Sequence, residues 1–305
     1  MAIITPALIT ALNTGYRREY QQAYDAQRAL SYWMKIATRV TSSTASNTYG
    51  WLGDFPKMRE WIGDRVVNDM KSHAYAISNK TYEATVGVER TAIEDDSYGV
   101  YGPLMATMGQ EAAQFPDELI SALVGSAHAT LCYDGQNYFD ADHPVYANPD
   151  GTGAAATVSN YDPGTGGPLW ALLDTRRPLK PFIFQERTQP EFEAKNNPST
   201  SDEVFMTDQF KYGIRYRCNA GLGFWQLGIG SRAALDYQAV RDARAEMRNF
   251  RADGNRPLGI APNVLLIHSD LESQAEDIVE RQLINAGESN PLYKKFEIVV
   301  ADWLA

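Results

Sequence analysis

Apolar positions along the chain change period several times, and each change predicts an element. Leu30, Trp33, Met34 and Ala37 recur at i, i+3, i+4 and i+7, which predicts a helical segment over 1–40. Tyr16, Tyr20 and Tyr24 form a second stripe on it. Two aromatic faces are more apolar surface than one contact uses, so this segment is expected to lie against something else, although plain core packing explains most such stripes. The small polar run 41–48, TSSTASNT, reads as a linker. Period two then takes over: Tyr82, Ala84, Val86 and Val88 alternate with Thr81, Glu83 and Thr85. With Lys71 to Ser78 extended and a turn at Asn79-Lys80, this predicts a long hairpin that includes Tyr75. Two such strands are marginal alone and need a neighbouring surface.

From Pro103 the helical period returns through Leu104, Met108, Ala112, Phe115, Leu119, Leu123 and Ala127, predicting a rod with a kink or restart at Pro116. The Gly- and Pro-rich stretch 147–168 reads as a loop or short irregular strands. Further on, the pattern predicts a short helix at 168–177, a strand at 180–187 and a surface excursion at 188–203. A glycine-rich strand follows at 210–230, in which Arg215 and Arg217 share one face, either neutralising carboxylates of another subunit or simply solvated. A helix over 237–250 and a buried strand at 264–267 come next. A helix capped by Ser269-Asp270 is expected to run to Ala286, and a last strand covers 296–300.

Composition narrows the class. Over 305 residues, 44% are apolar and 22% charged, the profile of a folded globular chain. Against 28 Lys and Arg stand 38 Asp and Glu, a net charge of −10, the wrong sign for general nucleic-acid binding. No apolar run is long enough to span a bilayer, and the N-terminal residues lack the pattern of a signal peptide. Cys132 and Cys218 are too few for a disulfide framework, so a cytoplasmic product with reduced thiols is expected.

Candidate chemistry is sparse. Asp140, Asp142 and His143 are metal-ligand types at close spacing, but no HExxH and no second cluster complete a set. Turn chemistry around Asp134-Gly135 and His143-Pro144 is the favoured reading. GTGG at 164–167 lacks the Lys and Ser/Thr of a phosphate loop. No catalytic, cofactor or metal residue is assigned.

Several strings, taken in order, carry a resemblance: CYDGQNYFDADHP at 132–144, KPFIFQER at 180–187, YGIRYRCNAGLGFWQ at 212–226, PNVLLIHSDLE at 262–272, Asn290-Pro291, and EIVV at 297–300. Over nearly its whole length the chain resembles the Mu-type major head subunits of tailed bacteriophages. The resemblance implies an α+β tailed-phage capsid fold and a non-enzymatic protein that self-assembles into hexamers and pentamers around double-stranded DNA. It implies an N-terminal arm at 1–47, a linker at 48–58 and an E-loop hairpin at 59–95. A peripheral domain with a spine helix would cover 96–131, an axial domain 132–258 and a return to the core 259–305. Inter-subunit residues are then expected among Tyr16, Tyr20, Tyr24, Lys71, Tyr75, Asn79, Lys80, Tyr82, Glu83, Arg215 and Arg217. Some shells of this fold join subunits through a lysine and an asparagine; Lys80 invites that comparison, with an ordinary solvated lysine the stronger expectation. Scaffolding protein, maturation protease and portal are the implied partners, and the virion the implied location. Two rival classes remain: a nanocompartment shell of the same fold, and a metal-assisted hydrolase using Asp140, Asp142 and His143.

Overall fold

The computed structural model describes residues 5–50, 52, 75–94, 98–197, 201–284 and 287–304. Helix α1 (Pro6–Leu30) begins where the Thr5 hydroxyl accepts the Leu8 N–H, with proline at its first position. The predicted helix to residue 40 stops short. The Asp117 carboxylate accepts hydrogen bonds from the Ser31 hydroxyl and from the backbone N–H groups of Tyr32 and Trp33, drawing those amides out of the helical ladder. Only a single turn, α2 (Trp33–Ile36), and strand β1 (Ala37–Thr41) follow.

The predicted hairpin turn at Asn79-Lys80 is also corrected. Strand β2 (Ser46–Thr48), inside the expected linker, pairs with β3 (Ala76–Ser78), whereas β4 (Lys80–Glu89) pairs along its whole length with β10 (Gln209–Leu222). The Asn79 amide holds the junction, donating to Ser42 Oγ and the Thr44 carbonyl and accepting from Gln185. Lys71, with the rest of 59–74 in the expected E-loop, lies outside the described residues.

After α3 (Arg90–Glu94), the long helix α4 (Tyr98–Gly125) continues through both Pro103 and Pro116, so the expected restart does not divide it. Strands β5 (His143–Tyr146) and β6 (Ala155–Val158) pair with each other, and β7 (Tyr161–Asp162) follows. The short helix expected at 168–177 is instead strand β8 (Trp170–Leu173). Its four residues are all buried, and neighbours pair with it on both edges. The first half of the expected excursion at 188–203 is instead the second half of β9 (Phe182–Lys195), paired with β10 through a shift in register; α5 (Asp202–Thr207) lies on the connection between them.

Strand β11 (Gly228–Ser231), helix α6 (Tyr237–Arg248), the β12–β13 pair (Arg251–Ala252, Arg256–Pro257) and β14 (Val264–His268) lead to α7 (Glu272–Val279). That helix ends before Ala286. The Asn290 side chain donates to the carbonyls of Ile278 and Arg281, and the Lys294 N–H to that of Val279. A short pair, β15 (Leu283–Ile284) and β16 (Glu288–Ser289), precedes the last strand, β17 (Glu297–Ala301).

Two sheets organise these elements. One has the order β1-β9-β10-β4 and packs against α4, with α1 lying along α4; the other has the order β17-β14-β8-β11-β7. The first sheet takes strands from the expected arm, E-loop and axial segments alike, so it is not contiguous in sequence. One core joins the five-stranded sheet to the Trp33, Phe182 and Phe184 end of the other. A second, smaller core holds Tyr16, Tyr20, Met105, Met108, Phe210 and Tyr212.

Candidate functional site

Chemistry-bearing side chains converge beneath the turn at Asp134-Gly135, where Gly135 takes a positive φ. His143 enters from the first residue of β5 and is completely buried, stacked 4.1 Å from the Trp225 ring at 8°. Its Nδ1 lies 2.7 Å from Asp134 Oδ2, and its Nε2 lies 3.2 Å from both the Tyr138 carbonyl and Asn160 Oδ1. The Cys132 thiol donates to Asp134 Oδ1 at 2.9 Å, and the Gln136 N–H donates to the same oxygen.

Burial alone would raise the Asp134 carboxyl, but hydrogen bonds from His143, Cys132 and Gln136, with the charge of His143, outweigh it and hold the group below the usual carboxylate range. Burial pushes the Cys132 thiol far up, and the Asp134 charge adds to this. A protonated, inaccessible thiol is no nucleophile. Cys132, Asp134 and His143 offer metal-ligand atoms within 4.8 Å of one another, yet these atoms are spent on mutual hydrogen bonds. The arrangement clamps a turn, a strand and the Trp225 segment together.

The three residues expected to form a metal site are therefore not brought together as such. Asp140 accepts from the backbone N–H groups of Asn137 and Ala141, as turn chemistry predicts, and Asp142 is exposed. Only His143 belongs to the cluster. Asp134 is visible in the sequence as a turn residue; that its carboxylate turns back beneath the ring depends on a contact across nine residues.

The expected inter-subunit residues scatter. Tyr16 and Tyr20 are 4% and 2% exposed within the chain's own smaller core, Tyr16 edge-on to Tyr212 and Tyr20 against Phe192; in this structure they are not available to another copy. Tyr24 is half-buried and stacked on Tyr20. The Tyr75 hydroxyl accepts the Leu222 N–H, and Tyr82 packs 4.5 Å from Phe115 of α4. Lys80, Glu83 and Arg215 are exposed, and Arg217 is half-buried on the same strand face as Arg215. In register, Arg215 lies between Glu83 on β4 and Glu191 on β9.

Among the described residues no reactive site emerges, while two sheets joined by a core and a long helix do, and known proteins share that arrangement. Residues 9–304 match the family model of the Mu-like prophage major head subunit gpT. The chain belongs to the Mu-like major head subunit family. It is 44% identical over 308 residues to the major capsid protein of Escherichia phage Mu, covering 99% of this chain and 100% of that one. It is 41% identical over 286 residues to the Mu-like prophage FluMu major head subunit of Haemophilus influenzae, covering 93% and 92%. The subunit in the procapsid of bacteriophage JBD30 superposes with a TM-score of 0.87 at 50% identity, covering 99% of this chain and 100% of that one. The subunit of the JBD30 capsid gives 0.75 at 41%, covering 100% of both chains. This head subunit thus has the tailed-phage capsid fold and a structural role in the shell. No described helix is long and apolar enough to cross a membrane.

Proposed function

We propose that the chain assembles with copies of itself into hexamers and pentamers of an icosahedral head around double-stranded DNA. The full-length likeness to subunits of a procapsid and a capsid carries this reading. Identical subunits that contact one another through different faces close into rings, and rings joined by projecting segments close into a shell. Scaffolding protein, maturation protease and portal are the proposed partners during assembly. The better superposition on the procapsid subunit supports assigning the described conformation to the unexpanded shell.

Expression of the chain alone and with the other head proteins of its phage, followed by negative-stain microscopy, tests this. Closed shells of uniform diameter are expected; monodisperse monomers under both conditions would overturn the reading.

A further inference from the structure

Helix α6 carries an unusual distribution of charge. At 3.6 residues per turn, Arg241, Arg244 and Arg248 fall within about 60° of one another, while Asp242 and Glu246 lie within about 40° of each other on a separate arc. Between the two arcs stand the uncharged Gln238 and Ala245. The helix rests on the five-stranded sheet through a third side, where Val240 and Met247 are buried. Both acids, Arg241 and Arg248 are exposed, and Arg244 is half-buried. The outward surface is thus split lengthwise into a basic edge and an acidic edge.

This segregation does not serve the helix itself. Arg244 and Arg248 are like charges at i, i+4, and so are Asp242 and Glu246; each such pair destabilises an isolated helix by a few tenths of a kcal/mol. Among the described residues none of the three arginines forms an ion pair, the nearest partner being the Tyr237 ring under Arg241 at 5.7 Å. Asp242 accepts from the neutral Gln238 amide. Partial burial, and after it the negative charge of Asp162 on β7, raise the Glu246 carboxyl, so a further acid lies near this edge.

We propose that α6 is a contact between copies, the Arg241–Arg244–Arg248 edge of one chain facing the Asp242–Glu246 edge of the next. The inference rests on the shell reading given above. A heterologous ring contact requires two different, complementary surfaces on each copy, and α6 presents both on one helix. DNA phosphates are the competing partner for the arginines, but they leave the matching acidic edge unexplained.

Charge reversal distinguishes the cases. R244E/R248E and D242R/E246R each place like charges across the contact, and the shell fraction recovered by sedimentation should fall on the order of tenfold. The fourfold variant carrying both reversals restores complementarity between copies and should recover assembly. Thermal melts of the soluble subunits verify folding, and R244Q/R248Q supplies a neutral variant with a smaller loss. Wild-type-like shells from both single-edge variants, or a folded fourfold variant that stays defective, would overturn the contact. So would R244E/R248E shells that form normally but fail to retain DNA, which would assign the arginines to phosphates. Absence of shells from the unaltered chain would overturn the shell reading and this contact with it.

Discussion

Asp134 and Asp174 are carboxylates largely withdrawn from solvent and kept ionised by their partners. For Asp174, burial is outweighed by the Arg176 guanidinium, which donates at 2.9 and 2.8 Å, and by the N–H groups of Ala261 and Arg176, so its carboxyl, like that of Asp134, is held below the usual range. A depressed folded-state value means the unfolded chain binds protons first on acidification. The stability these groups contribute is therefore complete above about pH 4 and lost as pH falls through their folded values. Asp117 has the opposite sign: burial raises its carboxyl despite bonds from Ser31, Trp33 and Tyr32, so its contribution is greatest in acid and declines as pH rises. Urea unfolding between about pH 7 and about pH 3 should show a net acid loss that is shallower in Asp174→Asn. His143→Ala, which leaves the Asp134 carboxylate withdrawn from water without its partner, should cost about 3–5 kcal/mol, read as a lowered Tm with altered Trp225 fluorescence. The sequence singles out His143 but places it beside its neighbours Asp140 and Asp142. Residue type and proximity reveal a candidate ligand, whereas which carboxylate reaches it depends on where the turn at Gly135 sends the chain.

Elements whose pairing is local are legible in the sequence, and those stabilised from a distance are not. The long helix α4 announces itself through Leu104, Met108 and Ala112, because one apolar face on the helical period needs no knowledge of what covers it. Strand β8 reads as a helix because four consecutive buried residues have no alternating face, and only β11 and β14, more than 50 residues away in sequence, make them a strand. The same limit hides the partner of β4, whose alternation is evident but whose pairing with β10 spans more than 100 residues. Where α1 meets α4, a Cβ added to Gly109 would lie 2.2 Å from the Tyr20 carbonyl oxygen, and a backbone atom cannot swing aside. Gly109→Ala must push the helices apart and should destabilise by about 1–3 kcal/mol despite alanine's better helix propensity. A matched substitution at Gly15, where nothing lies within 4 Å, should instead be neutral or slightly stabilising. Equal Tm changes at the two sites would refute the close-approach argument.

At the scale of the molecule, family membership is legible because strings from distant parts of the chain occur together in order, while the placement of subunit contacts is not. An aromatic stripe reads alike whether its cover is the same chain or another, and Tyr16 and Tyr20 are covered from within by α4 and the four-stranded sheet. Covalent joining of subunits through Lys80 poses the same question. Bond formation between a lysine and an asparagine needs a shielded site with a carboxylate at hand to move protons. Lys80 opens β4, exposed and in register with Cys218, and among the described residues no carboxylate lies within ion-pair distance of it. Glu83, the next acid along its own strand, accepts from the Thr85 hydroxyl instead. The described part of the chain therefore neither shields Lys80 nor supplies the acid. Shells boiled in detergent should release a single band at the 33.9 kDa subunit mass. A ladder of multiples that disappears in Lys80→Arg, which keeps the charge but removes the nucleophile, would place a covalent bond at that strand and overturn the reading of Lys80 as a solvated lysine.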